Sequence, residues 1–252
     1  MKVLITGASE GIGRSFAKRL SAEGHTVTAV ARNEGRLQEL MKELGGGKTH
    51  SYVVANLVSP EGVDKIAQLL TSEKFDLLIN NAGLATYGEF RTMESAKSDE
   101  MMTLNCESLL QLSRAFLQRA QSGDAVINVS SGASFLPMPV SSVYTGSKAF
   151  VTAFSEALWY EERKRNIYVM ALCPGITMTQ FHSRAGGHDK QIPPWLSQTP
   201  DQVVDRALKH LKKRSQPVVI CGPQRLPILL TRLIPRKWVI FLSGKTLELG
   251  MK

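Results

Sequence analysis

Tyr144 and Lys148 stand four residues apart in SSVYTGSKAF (141–150), a stretch with no acidic residue to neutralise the lysine. On a helix, residues four apart are neighbours, with Cβ atoms roughly 5–6 Å apart, so the phenol and the ammonium share a face. A free phenol titrates near pH 10, about three units above neutrality. A nearby cation favours the phenolate and lowers that value, which suits a general acid or base. Small Gly146, Ser147 and Ala149 are expected to leave room for reactants. Upstream, Ser131 ends the run VINVSS. A hydroxyl at the C-terminal edge of a strand can bond a carbonyl oxygen and stabilise charge developing on it. Its plainer alternative is a strand-end cap. No histidine or carboxylate lies beside Ser131 in sequence, so a nucleophilic serine is not expected.

A second group of residues suits a phosphate. TGASEGIG (6–13) follows the apolar run KVLIT and opens a helical stretch. Gly7 permits a tight turn, Gly11 lets a pyrophosphate approach the backbone, and Gly13 allows close helix–strand packing. The helix N-terminus then faces the anion, with Ser9, Glu10 and Ile12 completing the loop. Cofactor choice falls at the end of the second strand, where a carboxylate would bond the ribose 2′-hydroxyl of NAD. Here AVARN places Arg32, which can pair with a 2′-phosphate, so NADP is favoured over NAD. A merely solvated Arg32 is the rival, and Glu10 weighs mildly against a further phosphate.

The elements that must carry these residues alternate. Runs at 2–6, 26–31, 50–55, 76–80, 125–130, 167–173 and 217–221 read as strands, mostly continuous apolar as in strands buried on both faces. Helical stretches fall at 11–24, 33–44, 60–72, 98–121, 143–165 and 200–213. The last begins at TPDQ, with Thr199 as cap and Pro200 in the first turn. This alternation predicts an α/β fold: a doubly wound parallel sheet of about seven strands, helices on both faces and right-handed crossovers. Residues 176–198, with Gly186-Gly187 and Pro193-Pro194, carry no strand pattern and are expected to form a lid.

At 252 residues and 43% hydrophobic content, the chain can bury a large core. Cys106, Cys173 and Cys221 are odd in number and widely spaced, which suits a reducing compartment and a cytoplasmic location rather than a disulfide framework. No leader-like segment precedes the first motif, and no apolar run reaches the roughly 18 residues of a spanning helix. The net charge of +9 is concentrated at one end: from Asp205 onward there are 11 Lys and Arg against 2 Asp and Glu. A confined basic tail without interleaved nucleic-acid motifs points away from nucleic acid. His182 and His188 have no Cys or carboxylate to complete a metal set, so no metal is expected.

In order and spacing, TGASEGIG, NNAG (80–83), Asn105 in LNCES, Ser131, YTGSK (144–148) and PGITMT (174–179) resemble the short-chain dehydrogenase/reductase family over most of the chain. The resemblance implies a single Rossmann-like domain with a tetrad of Asn105, Ser131, Tyr144 and Lys148. By analogy Tyr144 exchanges the proton and Ser131 orients the carbonyl. Lys148 lowers the tyrosine pKa and bonds the nicotinamide ribose, while Asn105 holds a relay water. Asn81, Ala82 and Gly83 would border the cofactor, with Pro174, Gly175, Ile176 and Thr177 on its other side and Thr179 at the carboxamide. After the third strand the family often carries Asp for the adenine; here Asn56, followed by Leu57, offers an amide oxygen instead. Arginine at the place of Arg32 goes with NADP in this family, and a homo-oligomer, dimer or tetramer, through the helices at 98–121 and 143–165 is implied.

The expected activity is NADPH-dependent reduction of ketones or aldehydes. Its alternatives are an NAD(P)-linked alcohol or hydroxysteroid dehydrogenase running oxidatively, and a non-catalytic NADP sensor. Phe135, Leu136 and Met138, with Phe181, Ile192 and Trp195 of the lid, suggest an apolar pocket wall and a lipid-like or steroid-like carbonyl. Equally open is that these side chains pack among themselves, or that His182, Arg184, His188 and Lys190 meet an acidic carrier. Residues 1–222, lid included, form the expected catalytic domain. The tail 223–252, with Arg232, Arg236 and Lys237 among aliphatics, is expected as a subunit contact or pocket wall, with peripheral membrane contact as the alternative.

Overall fold

Strand and helix alternate along the chain in the computed structural model, which describes residues 1–44, 49–186 and 194–250. Gly187, His188, Lys190, Ile192 and Pro193, named above, lie outside the described residues, as does the Arg232 side chain. The first half runs β1 (Lys2–Thr6), α1 (Gly11–Ala22), β2 (Thr26–Ala31), α2 (Glu34–Glu43), β3 (Ser51–Val54), α3 (Pro60–Ser72) and β4 (Leu77–Asn80). Then come α4 (Ser95–Met102), α5 (Ser108–Arg119), β5 (Ala125–Val129), α6 (Ser142–Glu162) and β6 (Tyr168–Pro174). The chain closes with α7 (Phe181–Arg184), α8 (Pro200–Lys213), β7 (Val218–Cys221), α9 (Arg225–Leu230) and α10 (Arg236–Gly250). The seven strands form one parallel sheet in the order β3-β2-β1-β4-β5-β6-β7, as the alternation predicts.

Strand alternation divides the core. Val3, Ile5, Leu77, Ile79, Ile127 and Met170 face α1, α2 and α8, meeting Phe16, Leu20, Leu37, Leu40, Val203 and Val204. Leu4, Leu78, Val126 and Val169 face the other way, meeting Val63, Ile66 and Leu70 of α3, Leu112 and Phe116 of α5 and Leu158 of α6. Full burial of such a side chain stabilises by about 1.5–3 kcal/mol. A surface ion pair such as Lys2–Glu73 contributes about 0–1 kcal/mol. The sandwich of helices on sheet, not surface charge, therefore holds the fold.

Helix starts follow the expected chemistry. Thr199 and Gln202 form a reciprocal capping box on α8, and Asn33 and Ser59 accept bonds from Arg36 N and Gly62 N at the starts of α2 and α3. One expected helix differs. The 98–121 stretch begins earlier, at Ser95, and is interrupted by a wide π turn over Thr103–Glu107. The two ends of the stretch 176–198 are pinned together, since Gln198 N donates to Ile176 O (3.0 Å) and Met178 N to Gln198 O (2.9 Å). The tail, for which no element was anticipated, folds into α9 and α10.

Gly62 has backbone behind it: an added Cβ would fall 2.0 Å from Asn56 O. Gly62→Ala is expected to lower stability by about 1–3 kcal/mol. Gly35→Ala, whose methyl meets only Asn33 Oδ1 at 3.5 Å, is expected to raise it by up to about 1 kcal/mol. Urea midpoints of the two variants check the contrast.

Candidate active site

Between β1 and β4 the strand order reverses, and ligands of such sheets bind in the crevice beyond the strand C-termini at that point. A cleft of about 1700 Å³ opens there, running from the glycine loop to Tyr144 and Phe181. Gly7 (φ +64°) and Gly11 (φ +54°) adopt left-handed backbone after β1, conformations that side-chain-bearing residues disfavour. A Cβ on Gly13 would sit 2.3 Å from Gly7 O and 2.5 Å from Asn81 Nδ2, so close packing of α1 on the loop needs glycine. Glu10 precedes α1 without capping its first-turn amides with its side chain. The loop thus presents bare backbone and a helix N-terminus to the cleft, which fits a pyrophosphate.

Asn81 braces this loop rather than reaching outward. Its Nδ2 donates to Thr6 O (2.9 Å) and Gly7 O (3.1 Å), and the amides of Asn81 and Ala82 donate to Thr6 Oγ1 at 3.0 Å each. Ala82, Gly83, Asn56 and Leu57 line the cleft beside it. The Asn56 amide oxygen already accepts from Val58 N at 3.3 Å, closing the turn after β3. On the far wall stand Pro174, Gly175, Thr177 and Thr179, with Ile176 outside the lining. The cleft is narrow here, since a Cβ on Gly11 would come within 3.2 Å of Thr179 Cγ2.

Two arginines stand at the end of the cleft beside β2 and α2. Arg32 follows β2, lines the cleft and lies 3.7 Å from Glu100 Oε1 of α4. Arg36 was not anticipated from the sequence. The Asn33 cap puts it in the first turn of α2, where it meets Glu10 at 2.5 Å. Glu10 is also held by Arg184 of α7, so a carboxylate in the glycine loop is neutralised by two cations from different elements. This removes much of its weight against a phosphate.

At the other end, Asn105, Ser131, Tyr144 and Lys148 converge. Tyr144 and Lys148 share one face of α6, both buried, with Lys148 Nζ 6.0 Å from the Tyr144 ring centre. Lys148 Nζ donates to Val129 O at 2.9 Å, at the end of β5. Ser131 bonds the Tyr144 hydroxyl, and its Oγ also accepts from Ala133 N at 3.1 Å. The local cap and the contact with the phenol therefore coexist. Asn105 sits in the π turn, where its Nδ2 donates to Leu84 O (2.9 Å) and Ser147 Oγ (3.0 Å) and its Oδ1 accepts from Leu84 N (3.0 Å). A Cβ on Gly83 would come within 3.1 Å of Asn105 Oδ1 and 3.3 Å of Lys148 Nζ, which draws these groups into one corner.

Two expectations need correction. Burial holds the Tyr144 phenol above its ordinary range, and the Ser131 hydrogen bond only partly offsets this. The lowering expected from the lysine does not win in the protein alone, where desolvation dominates and Nζ donates to Val129 O. Burial also pulls Lys148 down to about 8. Second, Gly146 and Ala149 are exposed on the outer side of α6 and leave no room beside the phenol; buried Ser147 is tied to Asn105. Positions two and five beyond Tyr144 rotate away from it at 100° per residue.

Around the phenol, Phe181 of α7 tilts against Tyr144 with ring centres 5.8 Å apart. Tyr87, also not anticipated, packs in the same cluster and hydrogen-bonds His182 Nδ1 at 2.9 Å. Phe135 and Met138 are half-buried outside the cleft lining, and Trp195 is 73% exposed. Among the described residues no cluster of three metal-ligating side chains occurs.

Residues 1–189 match the family model described as short chain dehydrogenase, and the chain belongs to that family. A 7beta-hydroxysteroid dehydrogenase of Mediterraneibacter gnavus is 31% identical over 216 residues, covering 83% of this chain and 82% of that protein. A solved short-chain dehydrogenase from Sphingobium yanoikuyae in complex with NADPH is 32% identical, with a TM-score of 0.85 over 92% of this chain and 91% of that one. The bulky-bulky ketone specific alcohol dehydrogenase from Comamonas testosteroni is 26% identical, with a TM-score of 0.79 over the same shares. The chain is an NAD(P)-dependent oxidoreductase acting on CH–OH groups.

Lys148 titrates near 8 when folded and at its ordinary 10.5 when unfolded. Between these values the unfolded chain binds the extra proton, so this group makes stability rise with pH across that window. The stability difference between wild type and Lys148→Met, from urea midpoints at pH 7 to 10, is expected to grow in favour of wild type. A flat or falling difference contradicts the buried ammonium.

Proposed function

We propose that this protein is an NADPH-dependent reductase of ketone or aldehyde carbonyls on apolar, lipid-like substrates, reversible with the secondary alcohol. One observation carries the reading: the Ser131 and Tyr144 hydroxyls are hydrogen-bonded to each other at the end of a cleft whose other end is a bare glycine loop. A bound reduced nicotinamide would supply hydride to the carbonyl carbon. Ser131 holds the carbonyl oxygen, and Tyr144 gives it a proton as negative charge develops. A phenol kept protonated by burial starts as the acid this direction needs. Lys148 holds the nicotinamide ribose and limits the cost of the phenolate left behind. Asn105 keeps the relay water beside Lys148. Catalysis and cofactor binding are assigned to 1–222, with 176–198 as lid and 223–252 as an appended tail.

Preference for NADP rests on Arg32 and Arg36 at the adenosine end and on the absence of a carboxylate directly after β2. The NADPH complex of the Sphingobium yanoikuyae relative supports it. The substrates for which the relatives are named, a hydroxysteroid and bulky ketones, support an apolar substrate, as does Phe181 against the phenol. Because the same groups serve the reverse reaction, steroid alcohols belong among the compounds to assay. A homo-oligomer through α5 and α6 is supported by the exposed Gly146, Ala149 and Phe150 on α6. Three buried, free cysteines support a reducing, cytoplasmic setting.

Tyr144→Phe is expected to lower kcat by about 10²–10⁴-fold while NADPH Kd stays within about twofold, read by single-turnover kinetics and fluorescence titration. Retained turnover would refute the proton donor. Arg32→Asp is expected to move the ratio of NADPH to NADH Kd at least about tenfold toward NADH, roughly 1.4 kcal/mol. An unchanged ratio removes the 2′-phosphate assignment.

A further inference from the structure

The C-terminal segment carries an apolar and basic face that the cleft does not use. It is anchored at a few points. Ile228 of α9 is buried, and a Cβ on Gly132 would meet its Cδ1 at 3.1 Å. On α10, Val239 is buried, Ser243 Oγ donates to Pro137 O at 2.8 Å, and Gly244 rests on Pro139. Among the described residues, other large apolar side chains of the segment turn outward. Leu233 is 82% exposed, Phe241 64% and Trp238 53%, with Leu226, Leu230 and Ile234 exposed beside them in sequence. Single exposed apolar residues are ordinary, but a run of them over successive turns marks a contact surface.

Rotation at 100° per residue puts Trp238, Phe241 and Lys245 on one side of α10, away from Val239 and Ser243. Arg225, Arg236, Lys237 and Lys245 are exposed in the same segment, Lys237 Nζ lying 5.7 Å from the Trp238 ring centre. From 223 to 247 the sequence contains no Asp or Glu. Charge decides the occupant. A second copy docked by twofold symmetry would set these cations against themselves with no acid between them. An anionic headgroup layer would accept all of them, while Trp238 and Phe241 enter the acyl boundary below. Crossing is not available, because among the described residues no helix is long and apolar enough to span a membrane.

We propose that the outer face of α9 and α10 docks on an anionic lipid bilayer, with α10 lying in the plane of the interface. This is independent of what the cleft reduces. The test is co-sedimentation of the full chain with vesicles of phosphatidylcholine alone or mixed with phosphatidylserine, at low and high salt. Wild type is expected to bind the mixed vesicles at least about tenfold more strongly than the neutral ones, with the difference shrinking at high salt. Trp238→Ser combined with Phe241→Ser is expected to lose most of that binding while keeping NADPH affinity, which reports an intact fold. Arg236→Glu combined with Lys237→Glu, a change confined to exposed charges, is expected to lose the dependence on phosphatidylserine. Equal binding of wild type to both vesicles, or to neither, overturns the proposal. So does light scattering in which Trp238→Ser with Phe241→Ser splits an oligomer while wild type ignores vesicles, since the face then belongs to a second copy.

Discussion

A buried ammonium with no acidic partner among the described residues is the constraint around which this site is organised. Lys148 is only 4% exposed, and its polar contact is the Val129 carbonyl, not a carboxylate. Removing a charge from water costs several kcal/mol unless other groups compensate. The surroundings therefore carry that cost: burial draws the ammonium toward neutrality, and a Cβ at position 83 would come within 3.3 Å of it. Nothing in packing alone calls for such a residue at the end of the central strands. Its presence makes sense as a charge held in reserve for a polar molecule entering the cleft.

The scaffold meets this requirement with few moving parts. Tyr144 and Lys148 are fixed relative to each other by one turn of α6. Ser131 is fixed to them because β5 runs down the middle of the sheet with both faces covered. Asn80, Asn128 and Ser155 form a buried polar chain between β4, β5 and α6 at 2.9 Å per link, tying strand to helix directly beneath the site. Buried hydrogen-bonded chains of this kind favour one arrangement of a core, even though Asn80 Oδ1 has no partner among the described residues. The opposite end of the cleft is held differently, by backbone turns and by Asn81 reaching under the loop. One end is thus built of side chains and the other of main chain.

Much of this was legible in the sequence because it depends on local rules. Apolar runs separated by helical stretches predict the seven strands to within a residue or so at most boundaries, since buried parallel strands leave so plain a signature. A spacing of four places Tyr144 beside Lys148 whatever the tertiary fold. What was not legible depends on distance through space. The phenol's final acidity turns on how deeply it is buried and where the lysine points, and neither is written in a tetrapeptide. Arg36 reaches the cleft only because α2 is capped at Asn33, and Tyr87 joins the cluster around the phenol because α7 folds back toward residue 87. The outward position of Gly146 and Ala149 was, by contrast, available from helical rotation.

The wide turn at Thr103–Glu107 has a consequence for how this chain can vary. A π turn holds one more residue than the α-helical turn it replaces, and such turns frequently mark functional places. In this chain it swings Asn105 toward Leu84 and Ser147 while α4 and α5 continue on either side. The stretch from Ser95 to Arg119 is accordingly length-locked. Dropping a single residue there would let the two helices fuse into a regular rod, better bonded as a helix, and the amide would rotate out of the corner it shares with the lysine.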